Sequence, residues 1–378
     1  MSRLILLLFW SLWYLNFSAR SILSPIMPLI QDDFAIGHTM AGALFFSFWI
    51  GNTVAVFYSG FLSQKIGYKK SIFTGYCVVI ISFFLLKYSS SYQLFAVFVF
   101  FLGMGAGIYL PCAIPLITTV IDKRNWGKAI SFHETAAGFS LLTAPLIVVW
   151  AIGFTHWKSV FLLFGSICLV ITIIFQFVSP DPRPETQEKS PVSSIIRRKE
   201  FWIVTFAWVS CSIASMGIYN IVPLYLVKER AIQIEAANVV FGISRVGGFI
   251  GMISIGFFID KFNLKKILFV ITLGAGLTTL GIALSQSYYL VSFFLLIQAT
   301  FSVVFYPAGL VAIARLTNLA DRSMFTGVLM SISSIVGPGL SPLILGAVAD
   351  TWNFQIGILL AGIIITLSCI PLTRLKGL

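Results

Sequence analysis

The chain has 378 residues, of which 58% are hydrophobic and 10% are charged. Soluble domains carry about 25% charged residues, so this chain lacks the polar surface that a water-soluble protein needs. Its net charge of +12 is a level found in nucleic-acid-binding proteins, but the lysines and arginines lie in short segments between long apolar runs. The composition therefore predicts a protein that resides in a lipid bilayer and has no nucleic-acid partner.

Twelve apolar runs are long enough to cross a membrane. A helix needs about 20 mainly apolar residues to span the hydrocarbon core, and these runs are continuous rather than alternating, which favours helices over strands. The first run is too long for a signal peptide, so we expect it to stay in the mature protein. The predicted helices span 4–30, 38–62, 70–88, 92–121, 128–152, 157–178, 201–227, 236–259, 266–284, 288–315, 323–348 and 353–373.

The basic residues between these helices predict the orientation. Eighteen lysines and arginines lie in the even-numbered connections and at the two termini, against four in the odd-numbered connections. Because positive charge accumulates on the cytoplasmic side, we expect both termini in the cytoplasm and a multi-pass protein of a bacterial inner membrane or a plasma membrane. The four exceptions are Lys87, Lys158, Lys228 and Arg230.

The two halves of the chain repeat each other. Residues 60–73 and 256–269 share six of fourteen positions at an offset of 196, and three prolines recur at nearly the same offset. Such register predicts a duplicated six-helix unit. A charged, proline-rich segment separates the copies, so we expect bundles over 1–178 and 201–378 with a cytoplasmic linker over 179–200. The matched prolines are Pro28 with Pro223, Pro111 with Pro307 and Pro145 with Pro342.

The connection between the second and third helices resembles the signature loop of the major facilitator superfamily, Gly-x-x-x-Asp-x-x-Gly followed by two basic residues. Gln64 replaces the usual Asp in the first copy, and Asn263 replaces the second Gly in the second copy. The resemblance covers the whole chain and implies an all-α membrane protein with twelve transmembrane helices in two pseudo-symmetric bundles. It implies a gating or scaffold role for Gly60, Gly67, Lys69, Lys70, Gly256, Asp260, Lys265 and Lys266.

Arg20 is an ionisable residue inside the first predicted helix. An arginine in the hydrocarbon core costs about 2.5–3.5 kcal/mol on insertion scales, so its presence favours a function. The equivalent residue of the second half is Ser215, so the duplicated scaffold does not require an arginine there. The surrounding segment resembles the first helix of organic-anion carriers of the superfamily, although Ala19 replaces their Asp; that resemblance implies that Arg20 binds an anionic substrate. The alternative is a structural arginine bonded to backbone carbonyls near Pro25 and Pro28.

Arg245 lies in the eighth predicted helix, eleven residues before Gly256, which places it about 16 Å from the cytoplasmic end. Its equivalent in the first half is Trp49, so this arginine also breaks the internal symmetry. We expect it to bind substrate, with structural pairing as the alternative. Polar side chains within other spans are expected to contribute to the same site, with helix-to-helix hydrogen bonding as the alternative: Tyr109, Tyr219, Asn220 and Tyr306.

His133 and Glu134 are adjacent in the fifth predicted helix. Histidine titrates near neutral pH, and a carboxylate beside it completes a plausible proton relay, so we expect these two residues to couple proton movement to transport. The alternative is a structural role for Glu134, paired with Lys128 or with an arginine of a connecting loop.

Nothing in the sequence matches an enzyme site. It has no phosphate-binding loop, no metal-ligand spacing and no nucleophile motif, so we expect neither enzymatic activity nor a cofactor. The leading hypothesis is a monomeric, proton-coupled symporter of a small carboxylate that works by alternating access. The alternatives are an exporter of amphipathic compounds or drugs, a nitrate or nitrite carrier, and a non-transporting membrane sensor or assembly factor.

Overall fold

A computed structural model of the protein describes residues 2–122, 125–180 and 195–375. These residues form helices and contain no strand. Twelve helical segments are long and apolar enough to cross a membrane, which confirms the all-α, twelve-helix prediction. Most of the predicted linker, residues 181–194, lies outside the described residues.

Seven of the twelve helices are continuous, and five are built from two or three consecutive pieces. The helices are α1 (Ser2–Ser21 and Leu23–Phe34), α2 (His38–Ile66), α3 (Tyr68–Tyr88), α4 (Tyr92–Val120), α5 (Trp126–Ile152), α6 (Ser159–Val178), α7 (Lys199–Ser212, Ile213–Gly217 and Ile218–Lys228), α8 (Ile234–Ile243 and Arg245–Lys261), α9 (Leu264–Leu284), α10 (Tyr288–Leu316), α11 (Leu319–Ser334, Ile335–Leu340 and Ser341–Thr351) and α12 (Phe354–Leu367 and Cys369–Leu372).

The helices group into two compact units. The first contains the described residues of Met1–Ala35 and Phe46–Thr186, and the second those of Ile36–Phe45 and Gln187–Leu378. Within the first unit α3 packs against α4 and α6, and α1 packs against α5. Within the second unit α9 packs against α10 and α12, which occupy the same places in their half as α4 and α6 do in theirs. The same helix pairs therefore build both units.

The backbone carries further marks of the duplication. Ala35 and Ala231 are the non-glycine residues with positive φ in the described chain, at 51° and 52°, and they are separated by the same 196 positions as the loop motifs. A left-handed conformation costs an L-residue about 1–2 kcal/mol, so its recurrence at equivalent positions reflects a shared chain turn. Each residue follows the first helix of its half, where the chain reverses toward the second helix.

Glycines set how closely neighbouring helices cross within each unit. A Cβ added at Gly103 of α4 would lie 2.0 Å from the carbonyl oxygen of Phe48 in α2. In the second unit, a Cβ at Gly247 of α8 would lie 2.2 Å from Oγ1 of Thr300 in α10. Small residues at such crossings allow the backbones to approach to contact, as is usual for membrane helices. The glycines around Arg245 therefore serve helix packing against α10.

Two π-helical turns interrupt α7 and α11, at Ile213–Gly217 and Ile335–Leu340. They meet within the second unit, where a Cβ at Gly217 would lie 3.0 Å from the carbonyl oxygen of Gly337. The Asn220 side-chain amide donates to the carbonyl of Pro338 at 3.2 Å, which satisfies a backbone acceptor released by the irregular turn. Single π-turns of this kind are common at functional sites.

Candidate anion-binding and proton-coupling sites

Arg20 lies at the end of the first piece of α1 and is surrounded by aromatic rings. One terminal nitrogen donates to Oδ1 of Asn16, one turn earlier, at 2.8 Å. Cζ of Arg20 lies 4.7 Å from the ring centroid of Phe17, 5.2 Å from that of Trp49 and 5.5 Å from that of Trp13. Cation–π contacts of this length stabilise a partly desolvated guanidinium, but they leave its N–H groups available. The Nε atom of Arg20 is buried and has no hydrogen-bond partner.

His133 and Glu134 are in contact, and they connect to the surroundings of Arg20. His133 is fully buried and its Nδ1 lies 3.1 Å from Oε1 of Glu134, whose side chain is 41% exposed. Nε2 of His133 lies 3.0 Å from the hydroxyl of Tyr109. The His133 ring lies nearly parallel to that of Trp13, with centroids 5.5 Å apart. Trp13 therefore contacts both Arg20 and His133.

The predicted site residue Tyr109 has its polar group fully engaged. Its hydroxyl donates to the carbonyl oxygen of Phe9 at 2.8 Å and contacts Nε2 of His133. A hydroxyl held by a helix carbonyl fixes the position of the imidazole. Tyr109 therefore orients His133 in this conformation, and its contact with a substrate stays a prediction.

Arg245 occupies the first position of the second piece of α8 and is almost completely buried, at 4% exposure. Its Cζ lies 4.4 Å from the ring centroid of Tyr219 in α7 and 5.5 Å from that of Phe241. The two rings also pack against each other, with centroids 4.3 Å apart. The Nε and one terminal nitrogen of Arg245 are buried without a hydrogen-bond partner. Within the described residues, no carboxylate lies within ion-pair distance of either Arg20 or Arg245.

In each unit the arginine and an aromatic partner come from the first two helices of that half, but the helix that carries the arginine differs between the units. In the first unit the cation, Arg20, comes from the first helix and the aromatic Trp49 from the second. In the second unit Arg245, which is equivalent to Trp49, comes from the second helix of the half and the aromatic Tyr219 from the first. The duplicated scaffold thus holds one aromatic-lined guanidinium in each unit.

Carboxylates are scarce in the middle of the described helices. Within the described helices, Glu134 is the acidic residue that lies more than three positions from a helix end. A buried charge normally carries a partner because desolvation is expensive. Within the described spans, the two arginines therefore outnumber the carboxylate by two to one.

The remaining predicted substrate contacts have protein partners in this conformation. Asn220 binds the Pro338 carbonyl, as described above, and the Tyr306 hydroxyl lies 2.5 Å from Oγ of Ser215. Tyr219 is in contact with Arg245 through its ring. Of these three residues, Tyr219 is the one that the structure brings to an arginine. Among the described residues, no three His, Cys, Asp or Glu side chains come together to hold a metal ion.

The two copies of the signature loop turn by different means. Gly67 precedes α3 with φ 87° and ψ 162°, a backbone region that is essentially restricted to glycine. Its counterpart Asn263 adopts an ordinary extended conformation, and its side chain accepts from the backbone N–H of Lys266 as an N-cap. The asparagine that departs from the family pattern therefore starts α9 by capping it.

The other predicted gating residues lie around these turns. The Gly60 carbonyl accepts from Ser63 Oγ at 3.0 Å, and Lys265 Nζ donates to the Leu375 carbonyl at 3.1 Å. Gly256 is exposed, with no atom near its missing Cβ. Lys69 is partly buried and Lys70 is exposed, while the side chain of Asp260 lies outside the described residues.

The sequence did not predict a role for Trp13, which contacts Arg20, or for Phe241, which contacts Arg245. Both belong to a composition with 36 phenylalanines and 9 tryptophans, in which an aromatic residue on a helix is unremarkable. A signal for Trp13 was nevertheless present, since it lies seven residues before Arg20. That spacing is close to two helical turns, so both side chains lie on one face of α1.

Comparison with protein families and known proteins agrees with this architecture. The family model of the Major Facilitator Superfamily matches residues 10–296 and 255–376. The hexuronate transporter of Bacillus subtilis is 28% identical, covering 92% of this chain and 88% of the relative. The "Probable sulfoacetate transporter" of Cupriavidus necator is 22% identical, covering 64% of this chain and 60% of the relative.

Solved structures share the fold at low sequence identity. A bacterial homologue of the human lysosomal transporter Spinster superposes with a TM-score of 0.84 at 14% identity, covering 99% of this chain and 96% of its own. The xylose transporter of E. coli superposes with a TM-score of 0.81 at 15% identity, covering 99% and 96%. At these identities the likeness establishes the fold.

Proposed function

The chain belongs to the Major Facilitator Superfamily, and on that premise we propose that it carries a small organic anion together with a proton by alternating access. Membership makes it a multi-pass membrane transporter rather than an enzyme. The proposal has five parts: an anionic substrate, a coupled proton, termini in the cytoplasm, a location in an inner or plasma membrane, and a monomeric state.

The observation that carries the proposal is the state of Arg245. The guanidinium is 4% exposed, has two N–H groups without acceptors and has no ion-pair partner in the described residues. An arginine inside a membrane span is costly when, as here among the described residues, no carboxylate pairs with it. A planar guanidinium binds a carboxylate through two parallel hydrogen bonds. In the proposal, a substrate carboxylate accepts hydrogen bonds from the N–H groups of Arg245 that have no acceptor in the described part of the protein.

The relatives support the same class of substrate. A hexuronate is a sugar carboxylate, and sulfoacetate carries a carboxylate and a sulfonate, so the substrates named for both relatives are small organic anions. An exporter of cationic compounds needs acidic residues at mid-depth, whereas this chain has arginines there. A nitrate carrier with paired arginines in its second and eighth helices is disfavoured by Trp49 in α2.

His133 and Glu134 are proposed to carry the proton. The carboxylate is partly exposed while the imidazole is buried, so Glu134 can exchange a proton with water and with His133. Trp13 contacts both His133 and Arg20. We propose that a change of charge on the His133–Glu134 pair acts on Arg20 through this cluster and so links proton uptake to anion binding.

The proposal is tested by uptake into proteoliposomes of labelled monocarboxylates, dicarboxylates and hexuronates, with and without an inwardly directed proton gradient. Wild type is expected to accumulate at least one anion when the gradient is present. Arg245→Ala and Arg20→Ala are expected to lose that uptake, while Arg315→Ala, an exposed arginine at the end of α10, serves as the matched control and retains it. Absence of anion uptake, or uptake that survives both substitutions, would overturn the proposal.

A further inference from the structure

Trp13 contains a buried hydrogen-bond donor that the protein leaves unused. The residue is 4% exposed, and its indole Nε1 is buried without an acceptor. Buried tryptophan N–H groups usually find a partner, and an unsatisfied buried donor costs free energy. Such a group in a native structure requires an explanation.

Other tryptophans of the chain follow the usual rule. Nε1 of Trp10, three residues before Trp13 on the same helix, donates to Oγ1 of Thr135 at 2.9 Å. Trp126 and Trp202 donate to the backbone carbonyls of Ile121 and Ile196 at 2.9 and 2.8 Å. The unsatisfied indole of Trp13 is therefore a local feature of its surroundings.

The surroundings of Trp13 contain a second unused donor. Nε of Arg20 is also buried without an acceptor, and the guanidinium carbon lies 5.5 Å from the centroid of the indole ring. The Trp13 ring is held by near-parallel contacts with Tyr109 and His133, at centroid distances of 5.6 and 5.5 Å. Two fixed N–H donors, one of them cationic, select an acceptor with negative charge.

From these contacts we infer that Trp13 is a further substrate-binding residue, whose indole N–H, together with Arg20, binds an oxygen of the transported anion. The inference rests on the proposed function, because it adds a residue to the anion site. Both donors are buried in this conformation, so the inference requires that the transport cycle open this part of the first unit. A carboxylate or sulfonate oxygen can accept from an N–H donor and also offsets the charge of the guanidinium, whereas an uncharged hydroxyl leaves that charge uncompensated.

The test compares Trp13→Phe with Trp10→Phe in proteoliposomes, using radiolabelled glucuronate, or the best-transported anion of the panel if glucuronate is not carried. Trp13→Phe keeps an aromatic ring beside Arg20 and removes the N–H. A hydrogen bond to a charged group changes affinity by about tenfold or more, so the KM for uptake is expected to rise by about that factor with the maximal rate within about twofold. Trp10→Phe removes an N–H that serves helix packing, so its thermal midpoint is expected to fall while its KM stays unchanged.

Each result has a defined meaning. An unchanged KM in folded Trp13→Phe, or equal KM changes in both variants, would overturn the role of Trp13 and leave the anion carrier standing. If wild type takes up no anion of the panel, the proposed function fails and the inference fails with it. If Trp13→Phe does not fold, Trp13→His, which restores a ring N–H, provides the same comparison, and only a KM close to that of wild type supports the inference.

Discussion

Replacement of Arg245 by methionine should separate its effects on stability and on transport. Burying an arginine at mid-membrane depth costs about 2.5–3.5 kcal/mol. The contact with Tyr219, at 4.4 Å from Cζ to the ring centroid, returns about 2 kcal/mol when desolvated. The empty wild-type protein therefore carries a net cost of about 1 kcal/mol at this position. Arg245→Met keeps a long side chain against both rings and removes that cost.

The thermal midpoint in detergent measures this difference. We expect the midpoint of empty Arg245→Met to be equal to wild type or higher by about 1–3 °C. An anion at a hundred times its Kd stabilises the wild type by about 2.7 kcal/mol, which corresponds to about 5 °C. Arg245→Met is expected to show no such anion-dependent shift and no uptake.

The opposite pattern would refute the reasoning. If Arg245 is a structural residue, Arg245→Met lowers the midpoint of the empty protein by several degrees, and the remaining folded protein keeps its anion-dependent shift. Arg315→Met, at an exposed position of α10, is the control for general effects of removing a positive charge.

Four further substitutions have expected outcomes. Glu134→Gln should abolish stimulation of uptake by a proton gradient while anion exchange at equal pH continues, and a retained gradient response would remove Glu134 from the coupling mechanism. Gly103→Ala places a methyl group 2.0 Å from the Phe48 carbonyl oxygen, so yield and thermal midpoint should fall sharply; unchanged stability would contradict the tight crossing of α2 and α4. Gly67→Ala should lower the free energy of unfolding by about 1–3 kcal/mol through backbone strain, whereas Asn263→Ala should lower it by about 1 kcal/mol through loss of the cap. Equal stability of Gly67→Ala and wild type in thermal denaturation would refute the backbone assignment.

The fold was predictable because the bilayer imposes simple rules on sequence. Long apolar runs must be helices, and their number follows from counting. The predicted span 92–121 matches α4 (Tyr92–Val120) to one residue, since the serines before Tyr92 and the charged residues after Ile121 mark the ends of the apolar run. The interruption at Ser244 and the π-turns of α7 and α11 were not predicted, because a one-residue change in hydrogen-bond register leaves the apolar pattern unchanged.

The sequence identified candidate site residues but not the side chains that contact them. Arg20, Arg245 and Glu134 were recognisable because ionisable groups are expensive inside a span. Sequence alone does not say which aromatic ring lies beside which arginine, since that depends on how helices far apart in the chain pack. For the same reason the contacts of the Tyr109 hydroxyl with the Phe9 carbonyl and with His133 were not predictable, and its role in substrate binding stays a prediction.

Competition between glucuronate and glucose tests the central claim most directly, because the two sugars differ mainly by one carboxylate. Uptake of labelled glucuronate, or of the best-transported carboxylate of the panel, is measured in proteoliposomes of wild type. The competitor is either the same carboxylate without a label or its uncharged counterpart. The account predicts that the unlabelled carboxylate inhibits uptake and that its uncharged counterpart does not. Arg245→Met is expected to show no uptake and therefore no inhibition. Equal competition by the uncharged compound, or its transport at the same rate, would show that the buried arginines do not select an anion and would contradict the account.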